Sequence, residues 1–110
     1  MIKEIKDEIN PNITSVTGNS EEWTNTAITL TIHAVDNESG LQEQAYSFDG
    51  GKTWQTENTK TYKQNTVGIV IQVRDIAGNI ATYDTMDITK IDKTGPNISI
   101  EEQGTTTNQS

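Results

Sequence analysis

The chain contains no cysteine, which excludes disulfide staples, cysteine nucleophiles and thiolate metal sites. Histidine and arginine occur once each, as His33 and Arg74. His33 falls on the polar face of an expected strand and has no second histidine to share a metal or a proton with. No run of about 18 apolar residues exists, so no segment reads as a membrane-spanning helix. The opening Met1-Ile2-Lys3-Glu4-Ile5 has no apolar stretch of signal-peptide type, so an export signal, if the parent protein has one, is expected outside this segment. Hydrophobic residues make up 31% and aromatics 5%, against roughly 45–50% apolar for an ordinary domain.

What fills the gap is threonine, a β-branched residue that suits the solvent face of a strand. The chain is polar without reading as disordered, and 110 residues suffice for one domain. Net charge is -8, so phosphate backbones repel it and nucleic-acid binding is not expected. The same acidic excess favours solubility and suits divalent cations.

Period-two alternation dominates. From Ala27 to Val35, Ile28, Leu30, Ile32 and Ala34 point one way and Thr29, Thr31 and His33 the other. Val67 to Asp75 predicts a second strand with Val67, Ile69, Ile71 and Val73 inward, and Glu43 to Phe48 a third. Asn12–Thr17, Thr53–Glu57, Thr59–Lys63 and Ile80–Ile91 complete seven. Asp36-Asn37-Glu38-Ser39-Gly40, Asp49-Gly50-Gly51 and Asp75-Ile76-Ala77-Gly78-Asn79 read as turns. Apolar residues at helical spacing are absent. Seven short strands with turns between them predict an all-β sandwich or small barrel.

The chain also echoes itself. Asp7-Glu8-Ile9-Asn10-Pro11-Asn12-Ile13-Thr14 recurs as Asp92-Lys93-Thr94-Gly95-Pro96-Asn97-Ile98-Ser99, with Pro11 and Pro96 lying 85 residues apart. That period is close to one small sandwich domain. The expected organisation is a leader or the end of a preceding repeat over 1–8, one domain over 9–92, and the start of a next repeat with a flexible tail over 93–110.

Three local patterns stand out: Asp92-Lys93-Thr94-Gly95-Pro96, Val73-Arg74-Asp75-Ile76-Ala77-Gly78-Asn79 and Tyr46-Ser47-Phe48-Asp49-Gly50-Gly51-Lys52-Thr53-Trp54. Together they resemble bacterial immunoglobulin-like (Ig-like) repeats of surface adhesins and of multidomain cell-wall or glycan-active enzymes. Asp92-Lys93-Thr94-Gly95-Pro96 resembles their inter-repeat Asp-x-Thr-Ala-Pro junction, with glycine in place of alanine. Val73-Arg74-Asp75-Ile76-Ala77-Gly78-Asn79 resembles their Val-x-Asp-x-Ala-Gly-Asn turn. Tyr46-Ser47-Phe48-Asp49-Gly50-Gly51-Lys52-Thr53-Trp54 resembles their Tyr-Ser-x-Asp-Gly-Gly-x-Thr-Trp hairpin. The first copy of the junction departs from the pattern at Glu8, Ile9 and Asn10. The resemblance implies an antiparallel Greek-key Ig-like β-sandwich in a tandem array, extracellular, at the cell surface or in the cell wall. It implies a spacer, stalk or accessory role and no reaction.

The Ser47-x-Asp49-x-Gly51-x-Thr53-Trp54 segment also matches the Asp-box of sialidases. There the serine and aspartate satisfy turn backbone, so the motif is a folding device, and a single arginine cannot supply a substrate-binding cluster. Glu21, Glu22, Asp84, Asp87, Glu101 and Glu102 read as solvated charge. Calcium is the one specific ligand expectation. In such a sandwich the start of the first strand and two loops meet at one pole, which collects Asp7, Asp36, Glu38, Asp75 and Asn79 as oxygen ligands from separate segments. Asp36 and Asp75 equally suit turn capping. Trp23, Trp54, Tyr46, Tyr62 and Tyr83 could stack on sugars if exposed, although Phe48 and at least one tryptophan are expected in the core. The expected function is a non-catalytic, monomeric structural or display module that needs no cofactor. Its expected partners are neighbouring repeats, with neither nucleic acid nor membrane insertion. The alternative is an accessory domain on an enzyme that binds a host-surface or cell-wall glycan.

Overall fold

In a computed structural model the chain is described for residues 7–94, together with the backbone of 100–103 and 105–108. No helix occurs among the described residues, and every ladder between named strands is antiparallel. One layer has the order β1-β2-β4, formed by β1 (Asn12–Thr17), β2 (Ile28–Val35) and β4 (Thr59–Tyr62). The other has the order β3-β6-β7, formed by β3 (Leu41–Ser47), β6 (Gln72–Asp75) and β7 (Ile80–Thr82). The pair of β5 (Thr66–Ile69) and β8 (Met86–Ile88) continues the β6–β7 hairpin. The Tyr83 amide donates to the Ile71 carbonyl and carries the pairing across the break.

Both layers feed one core. β2 contributes Ile28, Leu30 and Ile32, β4 Tyr62, β3 Ala45, and the long hairpin Ile69, Ile71, Val73 and Ile88. Each such aliphatic side chain taken from water is worth about 1.5–3 kcal/mol. Thr29 and Thr61, opposite each other on the solvent side, bond hydroxyl to hydroxyl at 2.8 Å. A shared core between antiparallel layers is consistent with a β-sandwich.

Five expectations need correction. Val67 is 71% exposed, not inward. Gly68 takes a positive φ of 72°, and the ladder shifts register between Thr66 and Ile69. The extra residue of that bulge turns the side chain before it to the other face. Thr53–Glu57 forms no strand: only Gln55 bridges Tyr46, because the Gln55 amide bends the chain by donating to the Glu57 and Thr59 carbonyls at 2.8 Å each. Ile80–Ile91 is two strands rather than one, interrupted at 83–85. Val67–Asp75 likewise divides at Val70 and Ile71 into β5 and β6, which pair in different sheets. Neither tryptophan joins the buried core. Trp54 is half-buried with the Arg74 guanidinium 4.3 Å above its ring, and Trp23 is 65% exposed beside Lys90.

The chain approaches and leaves at opposite poles. Asp7 is tied to Ser39 and Asn79, at the end of β2 and the tip of the β6–β7 hairpin. Ile91 bridges Thr24, just before β2 begins. The eight residues of β2 separate the two ends by about 25 Å. The expected boundary and tail over 93–110 fall largely outside the described residues. Ile100–Gln103 (β9) and Thr105–Asn108 (β10) pair with one another.

Candidate metal centre at the acidic pole

The loop after β2 begins with Asp36, whose Oδ2 accepts the Gly40 amide at 2.7 Å. The β6–β7 turn begins with Asp75, whose Oδ1 accepts the Asn79 amide at 2.8 Å. Both aspartates do what turn-opening aspartates do, closing four residues of chain on their own carboxylate. The turns also lean on each other, since the Ile76 amide donates to the Gly40 carbonyl at 2.9 Å.

Asp7 arrives from the segment leading into β1. Its Oδ2 accepts the Ser39 hydroxyl at 2.6 Å and the Ser39 amide at 3.1 Å, and its Oδ1 accepts the Ile9 amide at 2.9 Å. The Asn79 side-chain amide holds the backbone in place by donating to the Asp7 carbonyl at 2.9 Å. The Ser39 hydroxyl first, then the amides of Ile9 and Ser39, hold the Asp7 carboxyl below the usual carboxylate range against the opposing effect of burial.

These contacts bring one carboxylate oxygen each from Asp7, Asp36 and Asp75 within 4.8 Å of one another. Asp75 is fully buried and Asp7 nearly so. No lysine, arginine or histidine among the described residues pairs with any of them. Asp36 Oδ1 is enclosed and has no hydrogen-bond partner. Clustered carboxylates out of water demand a counter-charge or a proton. Three carboxylate oxygens brought together from separate segments could hold a metal ion, since hard cations take their ligands from carboxylates, carbonyls and water.

Of the five expected ligands, the fold unites Asp7, Asp36 and Asp75. Asn79 stands beside them as a donor to Asp75 Oδ2 and to the Asp7 carbonyl, so here it positions two carboxylates. Glu38 is exposed and lies outside the cluster, lining with Ile9, Val35 and Asp36 a cleft that adjoins it. Ser39 was not among the expected residues. Its place one residue before Gly40 was the available cue, but its partner is 32 residues away in sequence.

The remaining expectations can be placed as well. In the Asp-box-like hairpin, Ser47 Oγ accepts the Gly51 amide at 2.8 Å and donates to Asp49 Oδ1 at 2.8 Å. Asp49 also accepts the Thr53 amide at 2.9 Å and the Thr53 hydroxyl at 2.6 Å. The Thr53 hydroxyl and amide bring its pKa from 3.8 down to about 2. The serine, aspartate and threonine of the motif are thus engaged with one another and with the turn backbone. His33 lies exposed, with Nε2 2.9 Å from the Thr17 hydroxyl. Among the aromatic candidates, Trp23 alone is exposed, Tyr62 is buried, and Tyr46, Trp54 and Tyr83 are half-buried. Comparison with protein-family models, curated proteins and solved structures returned no match.

Proposed function

We propose that the chain is a non-catalytic Ig-like module of an extracellular bacterial multidomain protein, a spacer whose acidic pole binds calcium. The observation that carries this reading is the convergence of Asp7, Asp36 and Asp75 from three separate segments, with Asp36 Oδ1 unpartnered. A bound cation would tie the segment leading into β1 to both turns of that pole. The layer orders β1-β2-β4 and β3-β6-β7, with chain ends at opposite poles, support a Greek-key sandwich used head to tail. Asp92 occupies the position in the second copy of the junction that Asp7 occupies in the first. A following repeat would therefore place its own clasp directly after Ile91. Its Oδ1 meanwhile accepts the Thr94 hydroxyl and, at 3.1 Å, the Thr94 amide.

The reading is tested by thermal unfolding of the chain in calcium, in magnesium and in chelator. Binding to the folded state alone, at a hundredfold excess over Kd, adds about 2.7 kcal/mol, or roughly 10 °C or more. Calcium should raise the midpoint, magnesium should do so less because it demands a tighter octahedron, and Asp75→Asn should abolish the response. Identical midpoints in calcium and chelator would refute the calcium clasp.

A further inference from the structure

A second site lies on the open side of the two layers, away from the acidic pole. Among the described residues β4 ends its sheet and β5 pairs only with β8, so two strand edges face each other there with no described strand between them. Between them is a cleft of about 660 Å³, within the range of roughly 300–1,000 Å³ typical of small-ligand pockets. Its wall is apolar, with Tyr62, Val67, Ile69 and Val70. Val67 is exposed there because the Gly68 bulge turns it outward, and it is the most exposed large hydrophobic side chain of the described residues.

Charge marks the cleft as well. In a chain of net charge -8 it is lined by Lys52 and Lys60 against a single acid, Asp49. Asp49 is already engaged by Ser47 and Thr53. Neither lysine is paired with a carboxylate among the described residues, and Lys60 Nζ sits 5.7 Å from the centre of the Tyr62 ring. Tyr62 is 8% exposed and its hydroxyl is buried with no hydrogen-bond partner. Burial, and then Asp49, push that phenol up to about 12, so it remains a donor at any physiological pH. A buried donor without an acceptor is uncommon in folded proteins.

We propose that this cleft is a binding site for a small amphipathic carboxylate, whose apolar face rests on Val67 and Val70. Its carboxylate lies between Lys52 and Lys60 and takes the Tyr62 hydroxyl as the side chains part. The site is independent of the calcium clasp and stands or falls without it. An aliphatic acid and an acidic sugar share this chemistry, and the test separates them.

The full chain, labelled with nitrogen-15, is titrated with octanoate, with glucuronate, and with methyl glucoside as the uncharged control. The proposal expects saturable shifts of the Tyr62, Val67, Gly68 and Val70 amides with one or both carboxylates and none with the glucoside. Octanoate alone points to an aliphatic ligand and glucuronate alone to an acidic sugar. The shifts should weaken with added salt and vanish in Lys52→Glu/Lys60→Glu. Tyr62→Phe removes an unsatisfied hydroxyl, so it should fold at least as stably as the parent while binding roughly tenfold more weakly. Absence of shifts with both carboxylates overturns the proposal, and so do shifts that survive unchanged in the folded charge-reversal variant.

Discussion

At the residue scale, the most consequential single atoms sit where the backbone has no room or a carboxylate has too much company. Gly18 has a φ of 107°, and a Cβ built on it would lie 1.9 Å from the Thr29 carbonyl oxygen. A methyl group there must push β2 backbone, not a flexible side chain. Gly18→Ala should cost about 3 kcal/mol or more from strain and overpacking together, a fall of at least about 10 °C in melting temperature. Gly68→Ala provides the control. Its φ is also positive, but nothing lies within 4 Å of the added Cβ, so only the backbone term of about 1 kcal/mol remains. Equal losses in the two variants would show that the close approach at Thr29 has been misjudged.

Asp49 gives a prediction in pH. Its folded pKa of about 2 lies below the ordinary 3.8, so its stabilisation is complete above roughly pH 4 and is lost as pH falls through the folded value. Asp49→Ala should lower stability near neutrality by about 1 kcal/mol, since Asp49 itself is exposed to solvent. Its midpoint should then fall less steeply than the parent's between pH 4 and 2. Parallel pH profiles would remove Asp49 from the hairpin's electrostatics.

At the scale of elements, the period-two reading succeeded where one face meets the core and the other meets water. β2 alternates buried with exposed or half-buried residues as Ile28, Leu30 and Ile32 predict, and β1 spans the expected Asn12–Thr17. It failed where a contact distant in sequence interrupts the period. Gly68 donates its amide to Asp87 Oδ1 at 2.8 Å, 19 residues away, and the resulting bulge cannot be read from local alternation. The candidate site was legible as three turn-forming or strand-leading aspartates. The part Ser39 plays in holding Asp7 was not, because hydroxyl pairing leaves no periodic trace. Asp87→Ala tests the bulge directly. It should leave the Gly68 amide unpartnered, so hydrogen exchange should accelerate at Gly68 and not in β2. Unchanged exchange at Gly68 would mean the bulge is fixed by the glycine's backbone alone.

At the scale of the whole molecule, a calcium clasp predicts a reversal of sign. Without calcium, the three carboxylates repel one another and Asp36 Oδ1 has no partner. Asp36→Asn should therefore be neutral or stabilising in chelator, while the parent should be the more stable protein in calcium. Melting curves of the two proteins in the two buffers read the crossover, and an Asp36→Asn variant that is weaker in both would contradict it.

The most direct measurement is anomalous diffraction from a crystal of the chain grown in calcium. A calcium clasp predicts one peak about 2.3–2.6 Å from oxygens of Asp7, Asp36 and Asp75, with the Asn79 amide still bridging Asp75 and the Asp7 backbone. A crystal grown in calcium with no anomalous peak among those three carboxylates would contradict it.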